Sequence, residues 1–152
     1  MAVDELALLA VGRLQAEYGD AVTRRDWDDV RALFEPDAVV AIDTRTRAPF
    51  TLDGPDAVAS FIERSLDGFA FFTFAILNAG AEVDGDSATG RVYICELRHD
   101  HAGQWTQAYG LYQDRYVRRA GQWRFARRQY HSLARTGRRT ESFPLPPIAS
   151  PS

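Results

Sequence analysis

The chain has 152 residues, a net charge of −3, and 45% hydrophobic, 26% charged and 12% aromatic residues. These values suit one globular domain with a sizeable core and exclude a disordered polyelectrolyte or a strongly basic nucleic-acid binder. All 18 basic residues are arginine, which excludes lysine Schiff-base chemistry and a P-loop lysine. The single cysteine, Cys95, excludes an internal disulfide and a thiolate zinc site. No apolar run approaches the ~18 residues that a membrane span needs, and Asp4 and Glu5 stand where a secretion signal would be basic. A cytoplasmic location with no membrane or nucleic-acid partner is therefore expected.

In chain order, Asp4 to Arg25 reads as a helix, with Leu6, Leu9, Val11, Leu14, Tyr18 and Val22 forming its apolar stripe. Asp26 is the N-cap of a short second helix, Trp27 to Phe34, which Pro36 ends. Ala38 to Ile42 is a short strand. Asp53-Gly54-Pro55 opens a third helix carrying Val58, Phe61, Ile62 and Leu66. Four β-rich stretches follow: Phe71 to Val83, Thr89 to Arg98, Gln104 to Val117, and Gln122 to Leu133. Asp84-Gly85, His99 to Gly103 and Ala120-Gly121 punctuate them as hairpin turns. Helices followed by an antiparallel meander predict an α+β domain over 1–134, helices packed on one face of a curved sheet. The proline-rich residues 135–152 read as an extended or disordered arm, whose Phe143, Leu145 and Ile148 suit a lid.

Three ordered segments resemble the SnoaL-like branch of the NTF2-like superfamily, which includes ketosteroid isomerases, polyketide cyclases and scytalone-type dehydratases. They are Tyr18 with Arg25-Asp26-Trp27-Asp28 and Leu33 to Ala38; Asn78 with Glu82 to Ala88; and Tyr112 to Arg119 leading into Gly121-Gln122-Trp123-Arg124. The resemblance covers roughly Leu6 to His131. It implies a cone-shaped antiparallel sheet wrapped around N-terminal helices, a deep apolar cavity, no cofactor, and a homodimer. Trp105, Tyr109, Leu111 and Trp123, on strand faces that do not all fit the cavity, would then need a cover. Because members of this fold do different chemistry, the reaction must be argued from the site.

Asp114 leads the candidate catalytic residues. Gly110, Tyr112, Asp114 and Tyr116 share one strand face, and a carboxyl in an apolar cavity has its pKa raised. The alternative pairs it with an arginine such as Arg128. Tyr18 lies at the spacing of the isomerases' oxyanion tyrosine, so the resemblance implies a hydrogen bond to a developing enolate oxygen; otherwise it is a core tyrosine. The family's general base has no counterpart: Ile42 aligns with the isomerase aspartate, with Asp43 one residue off, while Thr23 and Phe74 replace the dehydratase aspartate and first histidine. His99, counted by twos from Tyr93, falls at the cavity mouth as a proton shuttle or else in a solvated turn. His99-Asp100-His101 is too short a ligand set for a metal. Arg128 either assists Asp114 or dresses the convex face with Arg124 and Arg127. Ile42, Phe74, Tyr93, Tyr112, Tyr116 and Tyr130 are the expected substrate-lining residues. The expected function is a cofactor-independent isomerase, cyclase or dehydratase acting on a small apolar oxygenated molecule, with a non-catalytic small-molecule binder as the alternative.

Overall fold

The computed structural model describes residues 3–149. Helix α1 spans Glu5–Arg24, its first turn capped by Asp4 Oδ1, which accepts from the Ala7 N–H at 3.0 Å. Arg25 ends the helix in the left-handed region at φ 59°. The buried ridge is Ala7, Val11, Leu14, Tyr18 and Val22. Leu6 and Leu9, expected on that stripe, are exposed instead. The ridge repeats at four-then-three spacing through Ala7, and both leucines fall outside it.

Helix α2 spans Trp27–Ala32, with Asp26 Oδ1 accepting from the Asp29 N–H. It stops short of the expected Phe34 end, because Phe34 opens strand β1 (Phe34–Asp43) and is buried there. Pro36 therefore sits inside a strand. The β1 register shifts between Phe34 and Val39, so the missing proline N–H falls where the ladder is broken. Strand β2 (Phe50–Asp53), not expected from the sequence, pairs with β1. Helix α3 (Pro55–Leu66) begins with proline in its first turn, after Gly54 at φ 86°. Val58 and Leu66 are buried.

The long strands are β3 (Phe69–Asp84), β4 (Ser87–Asp100), β5 (Trp105–Arg119) and β6 (Gln122–Thr136). The order β2-β1-β6-β5-β4-β3 makes one curved, unclosed sheet. Antiparallel pairing holds throughout the meander, but β1 joins β6 in parallel. Four positions of irregular register in the meander decide which side chains face inward. Ala70 and Leu77 of β3 and Ala126 and Leu133 of β6 are each skipped in the pairing. A skipped residue reverses the alternation beyond it. Thus Phe125 and Arg128 both point inward, and beyond Leu133 so does Arg135.

Through Ala149 the arm after β6 does not cover the cavity, and residues 150–152 lie outside the described residues. Strand β7 (Glu141–Ser142) pairs with β6 through Ser142↔Ala134 and Glu141↔Arg135. The chain then crosses to Gln113, whose side chain donates to the Pro147 carbonyl and accepts from the Ala149 N–H. Phe143, Leu145 and Ile148 line no part of the cavity, so the expected lid is replaced by a strap on the opposite face. Leu111, on the stretch of β5 next to Gln113, is fully buried, and Trp123 belongs to the inner core. Of the four apolar residues expected to need a cover, Trp105 remains the most open, at 61% exposure.

Candidate active site

Between the helices and the concave face of the sheet lies a cavity of about 470 Å³, within the usual size of small-molecule sites. Strand register stacks the concave face around it in levels, about 7 Å apart for each two residues. Arg128 is the floor, with Asp114 beside it outside the lining. Above it Val92, Tyr112, Tyr130 and Ile42 form one row, then Ile94, Gly110 and Ser132. Phe74, Glu96, Ala108 and Arg135 make the next row, and Arg98 with Thr106 the rim.

The floor is an ion pair. Arg128 Nε donates to Asp114 Oδ1 at 2.8 Å and Nη2 to Oδ2 at 3.1 Å. The Tyr116 hydroxyl donates to the same Oδ2 at 2.9 Å and accepts from Gln15 Nε2 at 2.8 Å. Burial pushes the Asp114 carboxyl up, and Arg128 and Tyr116 pull it back. The guanidinium stays protonated at any ordinary pH, and both Asp114 oxygens accept its N–H groups in the two-pronged geometry of a carboxylate. Asp114 does not line the cavity, so its expected role as an acid exposed to substrate is replaced by the holding of Arg128. Tyr116 is equally removed from the lining: fully buried, it serves Asp114.

Arg128 is caged by aromatic faces. Its guanidinium carbon lies 3.7 Å from the Tyr112 ring centre and 4.3 Å from those of Tyr18 and Phe125. Nη1, with no conventional partner, meets this π surface. Arg128 is thus part of the core and does not dress the convex face, where Arg127 lies. Burial pushes the Tyr18 and Tyr112 phenols up, while the Arg128 charge draws both down. Both residues line the cavity, with the Tyr112 side chain also lowering the Tyr18 pKa and the Arg128 cation stacked on both rings.

Glu96 is the carboxylate that the cavity lining contains among the described residues. It stands on β4 directly beside Phe74 of β3. Burial raises its pKa; Arg98, with Nη1 at 3.7 Å from Oε2, opposes that shift. The separation exceeds a hydrogen bond, so the carboxyl is not locked to Arg98. Its charge is felt at Tyr18, Tyr112 and Tyr130, and the strand register puts the Tyr112 and Tyr130 row between the levels of Glu96 and Arg128.

Ile42, Phe74, Tyr112 and Tyr130 line the cavity as expected. Tyr93 and His99 do not. Val92, Ile94 and Glu96 take the inner face of β4, so the count by twos from Tyr93 follows the outer one. Tyr93 lines a groove on that outer face, and His99 stacks on Trp105 with ring centres 4.6 Å apart. Asp100 accepts from the Ala102 and Gln104 N–H groups, and His101 contacts the Asp67 carbonyl. Asp43 turns out of the cavity to accept from the Arg45 N–H, and the Thr23 hydroxyl accepts from the Phe74 N–H.

A family model described as a SnoaL-like domain matches residues 6–129. The chain belongs to the SnoaL-like family. An uncharacterized protein of Mycobacterium tuberculosis is 32% identical over 124 residues, covering 79% of this chain and 81% of that protein. Among solved structures, a candidate scytalone dehydratase from Novosphingobium aromaticivorans superimposes with a TM-score of 0.75 at 22% identity, covering 88% of each chain. The hexachlorocyclohexane dehydrochlorinase LinA-type3 from Novosphingobium barchaimii has a TM-score of 0.73 at 19% identity, covering 91% of this chain and 94% of its own. Both likenesses concern the fold. As in the NTF2-like fold generally, helices fill the concave side of the SnoaL-like sheet. Glu96 is the site residue that sequence reading missed. The clue was available: Val92, Ile94, Glu96 and Arg98 share a face whose first two members are aliphatic, a stronger inward signal than Tyr93 and Cys95.

Proposed function

We propose that this SnoaL-like protein is a cofactor-independent acid–base enzyme of the isomerase, cyclase or dehydratase kind. Its substrate is a small, largely apolar, oxygenated molecule. The observation that carries this reading is Glu96, a carboxyl raised by burial that shares the cavity lining with the phenols Tyr18, Tyr112 and Tyr130. Glu96 takes a proton from carbon next to a carbonyl, and the electron pair moves onto the carbonyl oxygen. Tyr18 and Tyr112 donate to that oxygen as its charge grows, with Arg128 behind their rings. Return of the proton at another carbon completes an isomerisation; loss of a hydroxyl, protonated as it leaves, completes a dehydration.

The test uses an enolisable ketone, tetralone, in deuterium oxide. Wild-type protein should accelerate proton–deuterium exchange next to the carbonyl, and Glu96→Gln should return it to the buffer rate. A specific observation favours a second reading, a non-catalytic small-molecule binder: Asp114 is spent on Arg128 and offers nothing to a ligand. That reading calls for tetralone binding with no acceleration in either protein.

A further inference from the structure

The charged groups of the cavity are distributed unevenly. Among the described residues its lining holds Arg47, Arg98, Arg128 and Arg135 against Glu96 alone, in a chain whose net charge is −3. Two carboxylates outside the lining reach these arginines: Asp114 holds Arg128, and Glu141 lies 3.5 Å from Arg135. Glu96 faces Arg98. Arg47 is left with no carboxylate partner within salt-bridge reach among the described residues; its guanidinium lies 4.3 Å over the Phe50 ring. Arg47 and Arg135 meet the same stretch of rim. Arg135 Nη2 donates to the Thr44 carbonyl at 2.9 Å, and the Thr44 and Thr46 hydroxyls are paired at 3.1 Å beside Arg47. Arg135 Nε is buried and makes no hydrogen bond, facing Glu141 Oε1 across that 3.5 Å gap.

The mouth therefore presents two guanidiniums and two hydroxyls above an apolar wall of Leu52, Phe61 and Ile62. Guanidiniums match planar carboxylates better than other common groups, through paired N–H donors. We infer that the substrate is an apolar carboxylic acid that enters ring-first, its carboxylate held at the rim by Arg47 and Arg135. This rests on the cavity being the substrate site and adds the charge and orientation of what fills it. With the acid anchored at the rim, on the level that Arg135 shares with Glu96, its ring is carried inward past Glu96 toward the Tyr112 and Tyr130 row.

The experiment compares naphthoate with its uncharged isostere naphthamide, each titrated against full-length protein by ligand fluorescence. Naphthoate should bind about tenfold tighter or more, the worth of one charge-assisted hydrogen bond. Arg47→Gln, at an exposed position, should remove much of that preference, and Arg47→Lys should restore part of it. High salt should weaken naphthoate alone. Equal affinity for the two ligands, no binding of either, or a preference surviving both Arg47→Gln and Arg135→Gln overturns the inference. The tetralone exchange assay reads Glu96 and not the rim. A protein that prefers naphthoate but never exchanges tetralone keeps this inference and loses the enzymatic reading; the converse result does the opposite.

Discussion

Replacing Asp114 by asparagine tests what the cavity floor is for. Both side chains of the pair are essentially sealed from water, 0% exposed for Asp114 and 2% for Arg128. With charge centres roughly 4 Å apart, the attraction is about 4 kcal/mol at the effective dielectric suited to such sites. Asparagine keeps the shape but leaves the guanidinium as an unpaired buried charge, a situation that costs about 3–5 kcal/mol. For a domain of this size, about 2–4 °C of Tm per kcal/mol gives a fall of roughly 10 °C. Thermal unfolding followed by circular dichroism reads this directly. A companion double variant, Asp114→Leu with Arg128→Met, removes both charges and should recover much of the loss. A drop below about 1 kcal/mol for Asp114→Asn, the level of an ordinary hydrogen bond, would refute the reasoning. Asp114 would then be free for chemistry, and its role as holder of Arg128 would fall.

Three further outcomes are expected. Glu96→Gln should stabilise the protein at neutral pH: burial raises the native pKa, so the wild-type contribution is full below the ordinary carboxyl range and is lost as pH rises through the raised value. Urea titrations at pH 4 and pH 7 check it, with the variant's advantage confined to the higher pH. Gly110→Ala should destabilise by about 1–3 kcal/mol, because a Cβ there would lie 2.1 Å from Tyr130 Cε2. The displaced ring should also weaken naphthol binding, measured by fluorescence. Tyr93→Phe and His99→Ala should leave both naphthol affinity and tetralone exchange unchanged, since neither side chain reaches the cavity; a tenfold loss in either assay would return them to the site.

The fold was largely legible because its signals are local. Asp26 and Gly54-Pro55 mark helix starts, and Gly85, Ala120 and Gly121 take the positive φ of tight turns. Strand pairing is not local, and there the reading failed. Nothing in residues 34–43 announces a parallel partner among residues 125–131, and short β2 carries too few residues to declare itself. The site suffered most from side-chain parity. Each skipped residue reverses which face later positions occupy, so counting by twos is safe only between bulges. Asp114 was placed on the correct face, but periodicity says nothing about the arginine waiting opposite. Of the two readings open for it, the structure holds the pairing with Arg128. Glu96 went unseen because it was set against a family pattern of aspartates and histidines, although its own strand face pointed inward.

The proton affinity of Glu96 is the most direct test of the whole account. Carbon-labelled side-chain carboxyls, titrated by NMR with Glu96→Gln to assign the resonance, give that value without knowledge of the natural substrate. The expected result is a midpoint above the ordinary glutamate value of ~4.3, rising further when naphthol fills the cavity and excludes water. A midpoint at or below the ordinary value would mean that Arg98 holds Glu96 as a fixed anion. The carboxyl would then be a structural partner at the rim, and the acid–base reading of the cavity would be contradicted.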